Sequence, residues 1–225
     1  MKKWLWIFIL CIGVSGIIFG IGKGNEQREV AKNEVNIDYV IKPKVALTFD
    51  DGPHPEYTPK LLDALKERGV KATFFLIGKN AKVHPEIVKR IADEGHVIGN
   101  HTMNHVEITK MADADAFLEL DENRKLLEGI TGMPVEYMRP PFGAWQKSLE
   151  NKVNALPVLW SVDPLDWTTE NTEEVVRRVI EEVEEDDIIL LHDYYESSVE
   201  AAIRIVDILQ AEGYDFVPID ELILG

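Results

Sequence analysis

The chain has 225 residues, of which 45% are apolar and 28% charged, and its formal net charge is −16. This balance excludes a disordered chain and, by repelling phosphate backbones, a nucleic-acid binder. A single cysteine, Cys11, excludes an internal disulfide framework and a cysteine-based zinc site.

Lys2 and Lys3 precede residues 4–22, WLWIFILCIGVSGIIFGIG, which carry no charge. A positive flank and an apolar run of bilayer length read as a signal-anchor or transmembrane segment over residues 1–22, with the rest of the chain exported. The run is long for a cleaved signal, and GIG at 20–22 is only a fair cleavage site. Retention as an anchor is therefore the expectation, and secretion after cleavage the alternative. Leu10 is too bulky for a lipoprotein signal before Cys11, which reads as a small apolar residue of the span. Residues 23–42 are polar and read as a stalk. Residues 43–225 read as one catalytic-sized domain.

Strand and helix patterns then alternate. Strands are expected at 44–49, 71–77, 96–100, 135–140, 157–163, 187–193 and 214–219. Helices are expected at 58–69, 84–95, 114–132, 171–183 and 197–213, with a short one in 145–154 and a last turn from 220. Thr58 is the expected N-cap of the first, Pro59 its first residue and Gly69 its stop; Asn171 or Thr172 caps the fourth. Apolar, β-branched strands alternating with helices predict an α/β fold with a parallel sheet.

An open doubly wound sheet and a barrel both fit that alternation, and the polar residues choose between them. Asp50 and Asp51, Asn100 and His101, Arg139, Asp163, and His192 with Asp193 all fall at strand carboxyl ends. An open sheet collects its site at one switch point, whereas a barrel gathers it from the whole carboxyl-end face. The reading is an irregular seven-stranded, TIM-like (β/α) barrel.

Two adjacent carboxylates repel each other, so Asp50–Asp51 asks for a positive partner. The sequence HTMNH offers His101 and His105, and a helical turn there would set both imidazoles on one face. By itself that spacing is coincidence; beside the aspartate pair it completes a two-histidine, one-carboxylate metal site of Asp51, His101 and His105. Zinc suits it, with Co2+, Ni2+ or Fe2+ as alternatives, and a bound water there would have a pKa near ~7. Asp50 is the candidate general base, otherwise a second ligand or a turn cap. His192 is the candidate acid, its imidazolium supported by Asp163 or Asp166; the plain alternative is a satisfied core histidine. Arg139 can orient Asp50, and the backbone of Pro141, Phe142 and Gly143 can hold an oxyanion. Trp145 and Trp167 suit sugar stacking or lid packing equally. His54, His84 and His96 carry no strong chemical case, although His54, three residues from Asp51, falls near the rim.

TFDDG, HTMNH, RPPFG, DPLDW and LLHD, in this order and each at an expected strand end, resemble the five signature segments of the polysaccharide deacetylases, the NodB-homology domain of carbohydrate esterase family four. The resemblance covers about residues 40 to 222. It implies a distorted (β/α) barrel and metal-dependent removal of N-acetyl groups from cell-wall or chitin-type glycans. It further implies Asp50 as base, Asp51, His101 and His105 as metal ligands, and His192 as acid paired with Asp166. Arg139 corresponds to the residue that positions the base, and Trp167 with Leu190 or Leu191 to the groove and acetyl-pocket walls. Phe142 stands where many relatives carry Tyr, which removes a hydroxyl from the substrate side and leaves the backbone N–H. The implied partner is an N-acetylated glycan at a bacterial cell surface, peptidoglycan first, acted on by a monomer. Three rivals remain. A haloacid-dehalogenase-type phosphatase would need its two aspartates separated by one residue. A non-sugar amide hydrolase and an inactive carbohydrate-binding relative would keep the same motifs.

Overall fold

The computed structural model describes residues 42–224. The expected membrane segment, residues 1–22, and the stalk up to residue 41 lie outside the described residues. Among the described residues, no helix is long and apolar enough to cross a membrane.

Seven parallel strands form the sheet: β1 (Lys44–Asp50), β2 (Thr73–Leu76), β3 (Val97–Asn100), β4 (Tyr137–Met138), β5 (Leu156–Pro157), β6 (Ile188–His192) and β7 (Asp215–Phe216). The order is β5-β4-β3-β2-β1-β6, with β7 beside β1. The two edges meet: Ser161 and Val162 donate N–H bonds to Ile188 O at 3.0 and 3.2 Å, and Leu190 N–H reaches Val162 O at 3.0 Å. The sheet therefore curls into the irregular barrel that the sequence led us to expect. Two details differ. The expected strand 157–163 is regular only at its start, because the chain must cross from β4 to β6. The last strand lies off the ring, pairing only Lys44 and Val45 of β1.

Around the sheet run α1 (Tyr57–Glu67), α2 (Gly78–Val83), α3 (Pro85–Asp93), α4 (Asp113–Thr131), α5 (Thr172–Glu182), α6 (Glu196–Ala211) and α7 (Ile219–Leu224). Their buried residues recur at helical spacing, as with Leu61, Leu62 and Leu65 or Ile87, Val88 and Ile91. These meet Leu47, Phe49, Phe74, Leu76, Ile189 and Leu191 in the main core. Each such side chain contributes about 1.5–3 kcal/mol on burial. Asn171 caps α5 as expected, accepting from Glu174 N–H at 3.3 Å. Thr58 does not cap α1. Its hydroxyl binds buried Asp193 and accepts from His54 N–H. Short α2 was not foreseen, and residues 145–154 hold only a 3-10 turn at Lys147–Leu149.

The two-residue period of the strands sorts the site from the core. Odd residues of β1 face the helices. Ala46, Thr48 and Asp50 face the barrel interior, where Phe75, Tyr137, Val158 and Ile219 pack. Gly99 makes room there, since a Cβ on it would strike the Phe75 ring.

Candidate active site

The interior residues change from apolar to ionisable as the strands approach their carboxyl ends. At the top of β1, Asp50 is buried, and its Oδ1 accepts from Arg139 Nη1 at 2.8 Å. Arg139 is itself fully buried and has no freedom. Nη1 also donates to Thr48 Oγ1 at 2.8 Å, Nε to Val158 O at 3.1 Å and Nη2 to Leu159 O at 2.9 Å. Its guanidinium lies 4.1 Å from the centre of the Phe75 ring. A buried charge so fully bonded positions rather than stabilises. It fixes Asp50 Oδ1 and leaves Oδ2 facing the cleft, 3.8 Å from His101 Nε2.

Asp51 leaves the strand with φ 73°. Its Oδ1 lies 3.5 Å from His101 Nε2 and 3.2 Å from His105 Nε2, and has no hydrogen-bond partner. Burial raises its pKa, but the neighbouring imidazoles, His101 first and then His105 and His192, outweigh that and bring it below the usual carboxylate value. His101 is buried, with Nδ1 2.7 Å from the Arg139 carbonyl. A carbonyl only accepts, so Nδ1 carries the proton and Nε2 keeps its lone pair for a ligand. One donor atom from each of Asp51, His101 and His105 lies within 4.8 Å of the others. An orphaned carboxylate oxygen facing two imidazole nitrogens is the donor set of a divalent cation, and these residues fit one. The expected helical turn is not what brings the imidazoles together. The chain from His101 to His105 is an irregular loop, with Thr102 at φ 62° and His105 at φ 56°.

Across the cleft, Asp50 and His192 are direct partners in the β1–β6 register. Asp166 grips His192 twice, with Oδ1 2.8 Å from Nδ1 and Oδ2 2.8 Å from the backbone N–H. Burial lowers the His192 pKa, yet the bond and charge of Asp166, then the charges of Asp50 and Asp51, raise it to about 9. A cation beside Asp51 would cancel part of this. Asp163 takes no share: it accepts from Leu165 N–H at 2.9 Å and shapes the turn that delivers Asp166.

The cleft is walled by Phe142, Trp160, Trp167, Leu190 and Tyr195. Phe142, 67% exposed, sits at φ 62° with its ring 5.0 Å from that of His105. The turn's own bonds start at Gly143 and Ala144, which leaves Phe142 N–H unused by it. Pro141 is buried, and Gly143 backs onto Trp160. Strand alternation separates the two leucines expected here: Leu190 lines the cleft, while Leu191 packs into the main core and does not line it. Trp145 packs as a lid on a small cluster around Leu120 and Met138, whereas Trp167 is 56% exposed over the cleft. Sequence reasoning missed Trp160 and Tyr195. Both are aromatics in segments that end or follow a strand at this rim, a signal that was available.

Residues 39–159 match the family model described as polysaccharide deacetylase. A peptidoglycan-N-acetylglucosamine deacetylase of Bacillus cereus is 39% identical over 191 residues, 80% of this chain and 68% of that protein. The peptidoglycan-N-acetylglucosamine deacetylase PgdA of Listeria monocytogenes is 36% identical over 80% of this chain, which spans only 38% of PgdA. The structure of the peptidoglycan deacetylase PdaC from Bacillus subtilis superposes with a TM-score of 0.79 at 35% identity, over 80% of this chain and 90% of that one.

Proposed function

Because the chain belongs to the polysaccharide deacetylase family, we propose that it hydrolyses N-acetyl groups of a cell-wall glycan, peptidoglycan first, with zinc held by Asp51, His101 and His105. The observation that carries this reading is the placing of two differently held proton carriers, Asp50 and His192, side by side next to that donor triangle.

When bound, the ion supplies Lewis acidity, which acidifies the attacking water and draws charge from the acetamide carbonyl. Asp50 takes the water's proton on Oδ2 while Arg139 holds Oδ1. Phe142 N–H, free of the turn's own bonds, donates to the carbonyl oxygen as negative charge builds there. His192, protonated and held at Nδ1 by Asp166, delivers a proton from Nε2 to the departing sugar amine. The products are acetate and a free amino sugar. Leu190 closes around the acetyl methyl, and exposed Trp167 offers a flat face to a sugar ring. The same reading puts the domain, as a monomer, on the outer side of a bacterial membrane. Residues 1–22 would tether it there or be cleaved to release it.

The test is acetate release by a soluble piece beginning near Asn33, stripped with chelator and then given zinc or cobalt. Peptidoglycan and N-acetylglucosamine oligomers are offered in parallel. Metal-restored acetate from peptidoglycan is expected. Restoration only with the oligomers would change the substrate, and metal binding with no acetate from either would overturn the reading.

A further inference from the structure

The loop that carries His101 and His105 contains no glycine, yet it holds Thr102 at φ 62° and His105 at φ 56°. A β-branched residue in the left-handed region persists only where its surroundings impose it. The surroundings here come largely from one helix. Asn123 on α4 is fully buried, and its Nδ2 lies 2.9 Å from each of three oxygens, Leu76 O, Asn100 Oδ1 and Thr102 O, among which it shares its two N–H groups. Asn100 Oδ1 also accepts from Thr102 N–H at 2.9 Å, and Asn100 Nδ2 donates back to Leu120 O on α4 at 2.7 Å. One turn earlier, the carbonyl of Glu119 accepts from Met103 N–H at 3.0 Å, and its carboxylate accepts from Asn104 N–H and Nδ2 at 2.9 and 2.7 Å.

Asn123 therefore holds the residue before His101 and the residue after it with one amide group, and Glu119 holds the two residues before His105. We infer that α4 is the positioning element of the metal centre: Asn123, seconded by Glu119, sets the separation of the two imidazoles. This rests on Asp51, His101 and His105 being the ligands. Neither residue lines the cleft or belongs to the donor triangle. Their effect passes through the backbone of residues 100–105, so it should appear in metal affinity and not in the chemistry of the loaded enzyme.

The experiment is a zinc titration of the metal-free domain against a chromogenic chelator, without substrate. Asn123→Ala is expected to weaken zinc binding about 10–100-fold, the usual effect of removing a ligand's support. At saturating zinc, kcat should stay within a few-fold of wild type. A folded Asn123→Ala with unchanged zinc affinity and an equal loss of Tm in the zinc-free and zinc-loaded forms would overturn the inference, since that is what a purely structural amide does. If Asn123→Ala does not fold, Glu119→Ala decides, because it removes a half-buried side chain. A smaller loss of affinity in the same direction supports the inference, and no loss overturns it. Wild-type protein that binds zinc yet releases no acetate would remove the deacetylase reading and leave this one standing. Wild-type protein that binds no zinc would remove both.

Discussion

Two buried histidines bracket β3. His96 stands just before it and His101 just after it, 5% and 2% exposed. At the amino end, His96 Nδ1 accepts the Ala72 N–H at 3.1 Å, and the ring meets Phe74 edge-on. Burial, and then the charge of Lys71, push its pKa down to about 4 against the pull of Glu94, so the ring is neutral. At the carboxyl end, His101 Nδ1 donates to a carbonyl, and Nε2 faces two carboxylates. Residue type and burial are the same; the partner differs. An acceptor role at Nδ1 leaves His96 with a proton on Nε2 and no lone pair to give a cation. A donor role does the reverse for His101. The function of a buried histidine is set by what its second nitrogen is made to do.

The largest expected effect breaks this pair apart. His101→Ala should lose zinc and acetate release together, a fall of about 10³-fold or more, as removing a ligand abolishes the site. His96→Ala should keep wild-type zinc content. Metal analysis after dialysis, beside an acetate assay, checks both, and loss of zinc in the His96 variant would sink the distinction. Asp50→Asn should retain the metal and lose about 10²–10⁴ in kcat, the usual contribution of a positioned base.

Next in size is Asp166→Asn. The variant loses the carboxylate charge that raises the His192 pKa. The acid must be protonated to work, so activity falls as pH rises through its pKa, and that limb lies at or below about 9 in the wild type. Asp166→Asn should move the limb to lower pH and cost about 10²-fold in kcat at neutral pH. A pH–kcat profile with an unmoved alkaline limb would assign that limb to another group. The charge that helps the reaction also stabilises the fold. With its folded pKa raised above 6.5, His192 contributes stability that is complete below about pH 6.5 and lost as pH rises through about 9.

Much of this was legible from residue order. Apolar β-branched runs fixed the strands, and the ionisable residues ending them located the site face. Asp50, Asp51, His101, His105, Arg139, Asp166 and His192 do converge there. Misreadings arose where local geometry departs from a regular period. The histidine spacing in HTMNH matches a helix, but the loop reaches the same juxtaposition through left-handed residues held by α4, and no local pattern encodes that. Thr58 has the composition of an N-cap, yet buried Asp193 takes its hydroxyl. Leu190 and Leu191 are indistinguishable by type, although β6 alternation was enough to separate them. Gly52 hides its reason in the sequence, because the atoms its Cβ would strike, 2.6 Å away, belong to Asp193, far along the chain.

The smallest effect returns to His96 and is one of pH alone. Its folded pKa, about 4, lies below the ordinary 6.5 of an unfolded chain. Between those values the unfolded chain binds a proton that the folded one refuses, so stability is complete above about pH 6.5 and falls as pH drops toward 4. The loss is on the order of 1–3 kcal/mol across that window. His96→Leu removes the titration but orphans the buried Ala72 N–H, which costs about 1–3 kcal/mol at every pH. The variant should therefore be less stable than wild type at pH 7 and close the gap by pH 4.5. Denaturant midpoints at the two pH values measure this directly. Parallel stability curves would mean that His96 titrates alike in both states, and that burial at the barrel floor is less complete than its 5% exposure implies.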